Sequence, residues 1–164
     1  MKRVFGAQPQ YLRIEHKRKG LYAIAVDVRQ EEDGNCSFVE YIFDHIPTED
    51  EIRQCVNSYY NEQTDAAILS GFSFEGNPVW LSSENQFNFK AAFDLAVQTN
   101  GLSLPVTFKF GTDSHPIYRR FDTLEDLQAF YTGALSYIQK CLEEGWRKKD
   151  EVDYSVYVLN GEEE

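Results

Sequence analysis

Histidine and sulfur are scarce in this chain. Its 164 residues include three His, three Cys and one Met. His16, His45 and His115 are widely separated, which is thin material for a metal site needing three or four convergent ligands. Cys36, Cys55 and Cys141 are odd in number and far apart, so they make no disulfide framework, and without a CxxC pair there is no zinc knuckle. A reducing cytoplasm suits such a chain. Phosphate-binding glycine loops, GxSxG and HExxH are all missing. No apolar run reaches the roughly 20 residues of a membrane span. The start, MKRVFGAQPQ, carries charge but no apolar h-region, so no secretory signal is expected. Cations are outnumbered: the net charge is −11, which argues against the basic face a nucleic-acid binder needs.

Aromatics, by contrast, are abundant, with twelve Phe, ten Tyr and two Trp. Such residues fill cores and also anchor interfaces. Charge is uneven along the chain. Residues 1–20 carry +5, from Lys2, Arg3, Arg13, Lys17, Arg18 and Lys19 against Glu15, and the remainder carries −16. A basic arm on an acidic body suits docking to an acidic neighbour, a second copy included. An ordinary solvated turn at His16–Gly20 is the plainer alternative.

Periodicity predicts an α+β chain in which antiparallel hairpins alternate with three helices, after a small N-terminal β unit. Val4-Phe5 and Tyr11–Ile14 are short apolar pieces, either edge strands or an extended arm. Leu21–Gln30 alternates as a strand does, and Ser37–Asp44 pairs with it across Glu31–Asn35. Thr48 and Glu51 form a capping box opening a helix that carries Ile52, Cys55, Val56 and Tyr59 and stops at Gly71. Phe72 and Phe74 enter a tight turn at Glu75-Gly76-Asn77, Pro78 marks its exit, and Val79 and Leu81 return. Ser82 or Ser83 caps a helix over Glu84–Thr99. Val106–Phe110 and Ile117–Phe121 make another hairpin. Thr123 caps a last helix whose stripe is Leu124, Leu127, Tyr131, Ala134, Leu135, Ile138, Cys141 and Leu142. Tyr154–Leu159 is one more strand candidate, and Glu162–Glu164 an end expected to fray. The division by chain order is a β module over 1–46 and an α+β domain over 47–164.

None of this is catalytic machinery. Asp44-His45 could orient an imidazole, with Cys36 the one tempting nucleophile, yet neighbouring strand residues point apart. His115 beside Asp113 and the run Glu31-Glu32-Asp33 read as solvated turns. No catalytic residue, metal ligand or cofactor is therefore expected. Ser82–Gln86 beside Trp80 resembles a sugar-binding surface, but capping alone explains those serines and amides.

The segment Gly71–Ala92 is the distinctive one. Its order is glycine-aromatic-x-aromatic (Gly71-Phe72-Ser73-Phe74), a short turn, an extended return (Pro78-Val79-Trp80-Leu81) and a helix opened by Ser83–Asn88. Together with the preceding helix Ile52–Leu69, it resembles an uncharacterised domain family of bacteriophage and prophage tail-fibre and tail-assembly proteins, over about Ile52–Asp150. Residues 1–46 resemble, more loosely, the small β module that can precede it. The resemblance implies a non-enzymatic protein acting by protein–protein contact, as a tail component or a tail-fibre assembly factor. Its partners would be phage structural proteins or further copies of itself, with no membrane and no nucleic acid. It would work in the host bacterial cytoplasm during assembly, or in the virion. The aromatics Phe74, Trp80, Phe87 and Trp146 are the contact candidates. Two other readings stand beside it: an acidic decoy imitating nucleic acid, and a glycan-binding module. The second requires Trp80 displayed over a pocket of convergent polar groups.

Overall fold

In this computed structural model residues 3–159 are described. The order is β1 (Arg3–Gly6), β2 (Leu12–His16), β3 (Leu21–Gln30), β4 (Cys36–Phe43), α1 (Glu49–Ser70), β5 (Phe72–Phe74), β6 (Asn77–Val79), α2 (Ser83–Gln98), β7 (Val106–Gly111), β8 (Pro116–Phe121) and α3 (Leu124–Asp150). All pairings between these strands are antiparallel, so the class is α+β, with a small N-terminal strand unit and three helices. Packing divides the chain into two units, residues 1–60 with 148–164, and residues 61–147. The division at 46 follows chain order, whereas these units follow packing and the first is discontinuous.

In the first unit the alternation of β3 places Ile24 and Val26 on one face. They join Leu12, Val39, Ile52, Val56 and Tyr59 in a core. The strand order is β1-β4-β3-β2, so the short pieces near the N-terminus are the two edge strands. The basic arm is therefore built into the sheet. Arg3 pairs with Asp27, and Arg13 pairs with Glu40 and Glu15. Lys17–Lys19 form a single 3-10 turn closed by Gly20 in the left-handed region (φ 62°). The capping box opens α1 as expected: the Thr48 amide donates to Glu51 (2.8 Å) and the Glu51 amide to Thr48 Oγ1 (3.3 Å). The strand expected at Tyr154–Leu159 does not form. Tyr154–Val156 is a 3-10 turn, the Ser155 amide donating to the Asp153 carboxylate, and Leu159 bridges to Leu12. The acidic end Glu162–Glu164 and Lys2 lie outside the described residues.

The second unit is an aromatic core. Phe130 on α3 is fully buried, its centroid 5.0–6.3 Å from those of Phe72, Phe74, Phe89, Phe108, Phe110 and Phe121. Much of the phenylalanine content is thus core. The stripe read from sequence omits Phe130, though it lies three residues after Leu127 and four before Ala134. It also includes Leu135, which is exposed. The β5–β6 turn holds Glu75 and Gly76 at φ 51° and 77°, the two left-handed residues of a tight hairpin. Pro78 is not past the turn but inside β6, opposite Ser73. A three-residue strand in a two-stranded sheet is all edge, so a missing amide is tolerated there. Gly71 follows the last residue of α1, and space there admits only glycine. A Cβ there would lie 2.0 Å from the Tyr137 hydroxyl and 2.7 Å from the Ala67 carbonyl.

Candidate functional site

The first residues of α2 separate two depressions in the second unit. Ser82 caps the helix, accepting the Asn85 amide (3.2 Å). The side-chain amides of Asn85 and Gln86 donate backwards to the carbonyls of Trp80 (2.8 Å) and Leu81 (2.7 Å). These bonds satisfy the turn backbone and fix Trp80 at the mouth of the helix. Because Val79 and Leu81 are buried, alternation turns Trp80 outward, and its surface is 52% exposed.

On one side of α2 lies a cleft of about 590 Å³. Its lining includes Phe89, Phe108 and Phe110. Around them stand Trp80, the Asn88 amide, Thr107, and Lys109, which is ion-paired with Asp113 at 3.0 Å. On the other side lies a smaller apolar groove of about 200 Å³ between α2 and α3. Leu81, Phe89, Ala134, Leu135 and Ile138 line it, and Phe87 contributes a ring that is 70% exposed. Phe87 sits two residues from buried Phe89, about 200° around the helix at 3.6 residues per turn, which explains why one ring is buried and the other displayed.

The four contact candidates separate accordingly. Trp80 and Phe87 are displayed, one at each depression. Trp146, on α3, is half exposed and lines neither. Phe74 is not the exposed ring expected of it. It lies on the same face of β5 as buried Phe72 and packs against Phe110, Phe121 and Phe130. Sequence reading missed the groove around Leu135 and Ile138. Exposed leucine beside buried alanine on one helix signals a second partner only once the first is known.

The first unit concentrates its polar chemistry at Asp27. This residue has φ 53° and sits where the β3–β4 register shifts between Val26 and Arg29. Its carboxylate receives the Tyr59 hydroxyl (2.6 Å), Arg29 (2.6 Å) and Arg3. Burial alone would raise the Asp27 carboxyl, but hydrogen bonds from Arg29 and Tyr59, and the nearby guanidinium charges, hold it below its ordinary range. It is an anchor whose Oδ2 gathers three donors, Tyr59, Arg29 and Arg3, which makes it a poor base. Burial, followed by the charge of Asp27, pushes neighbouring Tyr60 up to about 12.

The other titratable candidates are also occupied. His45 stands between Asp44 (Nδ1, 2.8 Å) and Glu51 (Nε2, 3.0 Å). Its ring joins the end of β4 to the cap of α1. Cys36 opens β4 and His45 follows its end, so at about 3.3 Å per residue the strand holds them well over 20 Å apart. Among the described residues no group of three or more His, Cys, Asp or Glu could hold a metal ion, and no helix is long and apolar enough to cross a membrane.

No curated protein and no solved structure matches the chain. Residues 51–161 match the domain of unknown function DUF4376, and the chain belongs to that family.

Proposed function

We propose that this is a non-enzymatic protein of a tailed bacteriophage or prophage that acts by protein–protein contact, as a tail component or a tail-fibre assembly factor. The phage association rests on the sequence resemblance over Ile52–Asp150. The contact reading is carried by one observation: a ring as large as Phe87, 70% exposed, beside an apolar groove that Leu81, Phe89, Ala134 and Ile138 leave open. Apolar surface displayed in this way marks interaction sites, and aromatic rings are favoured anchors. The partner is a tail structural protein, met in the host cytoplasm during assembly or in the virion.

An acidic decoy draws little support from the described surface. Glu49, Glu75, Asp94, Asp113 and Asp122 each pair with a lysine or arginine, which breaks up any carboxylate stripe.

The test is a paired capture from bacteria producing the phage, with wild type and Phe87→Asp as baits. The substitution changes an exposed helix position, so the fold is retained. Tail proteins should be enriched on the wild type and lost on the variant. Equal recovery, or none on either bait, contradicts the reading.

A further inference from the structure

The cleft beside Trp80 has a chemistry different from that of the Phe87 groove. The Asn85 side-chain amide donates to the Trp80 carbonyl, which ties down the stretch of backbone that carries the ring at the rim. Nearby are two neutral polar side chains, the Asn88 amide and the Thr107 hydroxyl, which make no hydrogen bond to another described residue. The charges in the lining, Lys109 and Asp113, neutralise each other. The edge of β7 adds backbone groups. Thr112 and His115 exchange both amide–carbonyl bonds at the hairpin end (3.2 and 3.1 Å). Alternation of bonded pairs then commits Phe110, Phe108 and Val106 to β8. The peptide groups of Thr107 and Lys109 point to the opposite edge, and both residues line the cleft.

An aromatic face, free neutral donors and acceptors, and no net charge together select a ligand with the same duality. It must offer an apolar face to the indole and a fringe of hydroxyls to amide, hydroxyl and peptide groups. We infer that the Trp80 cleft binds a neutral hexose-based oligosaccharide, one ring stacked on Trp80 and its hydroxyls bonded to Asn88, Thr107 and the open edge of β7. The volume of about 590 Å³ falls within the usual range of roughly 300–1,000 Å³ for small-ligand sites. Peptide addition to the β7 edge is the competing occupant. The sugar is favoured because edge pairing alone leaves the displayed Trp80 ring unused. This inference uses a different surface from the Phe87 groove and does not depend on it.

The experiment uses the full chain in solution, with maltotriose, cellotriose and tri-N-acetylchitotriose as probes and the indole and side-chain amide resonances as readout. At millimolar sugar, at least one probe should shift Trp80 and Asn88 while leaving Trp146 unmoved. Trp80→Ala should abolish the response. Asn88→Ala, at an exposed helix position, should weaken affinity about tenfold, the loss of one good hydrogen bond. The inference is overturned if none of the three sugars moves Trp80, or if the response survives Trp80→Ala. It is also overturned if only an extended peptide, and no sugar, perturbs the β7 amides.

Discussion

Asp27 illustrates what a single residue does here. A strand residue in the left-handed region is strained unless its surroundings hold it, and Asp and Asn tolerate that region better than most. Asp27 is held by Tyr59 and two arginines. Asp27→Asn keeps the backbone tolerance and removes the charge. It should cost about 1–3 kcal/mol in denaturant unfolding, less than the ~3–5 of a fully buried pair, because Arg29 is more than half exposed. Asp27→Val should cost still more, since a β-branched residue resists positive φ. Equal stability of wild type and Asp27→Asn would remove the anchor role. His45 gives a pH signature. Hydrogen bonds to Asp44, then Glu51, raise its pKa above the ordinary 6.5. A raised folded-state value means the contribution is complete below about pH 6.5 and is lost as pH climbs through the higher value. Wild type should therefore lose stability relative to His45→Gln between about pH 6 and pH 8. A difference that stays flat across that window contradicts the clamp. The Asp27 role is not legible in sequence, whereas the partners of His45 lie one and six positions away. Arg3 and Tyr59 lie 24 and 32 positions from Asp27, and only the folded sheet brings them together.

Elements were far more legible than single contacts. β3 is the strand that alternation gives, and α1 begins where its capping box says. The failures are local and physical. Tyr154–Leu159 has strand-like composition, but Asp153 caps a 3-10 turn over its first residues. Pro78 sits in a strand because that strand has no interior. Gly71 ends a helix as glycine often does, though not through a left-handed cap. It makes room for Tyr137, whose hydroxyl donates to the Ala67 carbonyl at 3.0 Å. Gly71→Ala should therefore destabilise by about 1–3 kcal/mol, as overpacking does. Tyr137→Phe should recover part of that loss in the double variant, leaving the share due to the Ala67 carbonyl. Independent, additive effects in that cycle would mean the two residues do not compete for space.

For the whole molecule, composition indicated an acidic chain rich in aromatics, and periodicity an α+β one. It could not divide those rings between core and surface. Six phenylalanines gather around Phe130, while Trp80 and Phe87 remain displayed. The division follows from simple periodicity once burial is known: Trp80 between two buried strand-like neighbours, Phe87 across the helix from Phe89. The depressions themselves need the fold, because β7 and α3 begin 8 and 26 residues after α2 ends and must pack back against it. The basic N-terminal arm was the misleading signal, since its charges read as free until the sheet pairs Arg3 and Arg13.

The proposed partner of the Phe87 groove is a phage tail protein. Site-specific photo-crosslinking tests it most directly. A photoreactive phenylalanine analogue replaces Phe87, in cells producing the phage, with the same analogue at Leu102 as the exposed control. Crosslinks from position 87 to a tail structural protein, absent from position 102, are the predicted result. Crosslinks shared equally by both positions, or none from position 87, would contradict the account.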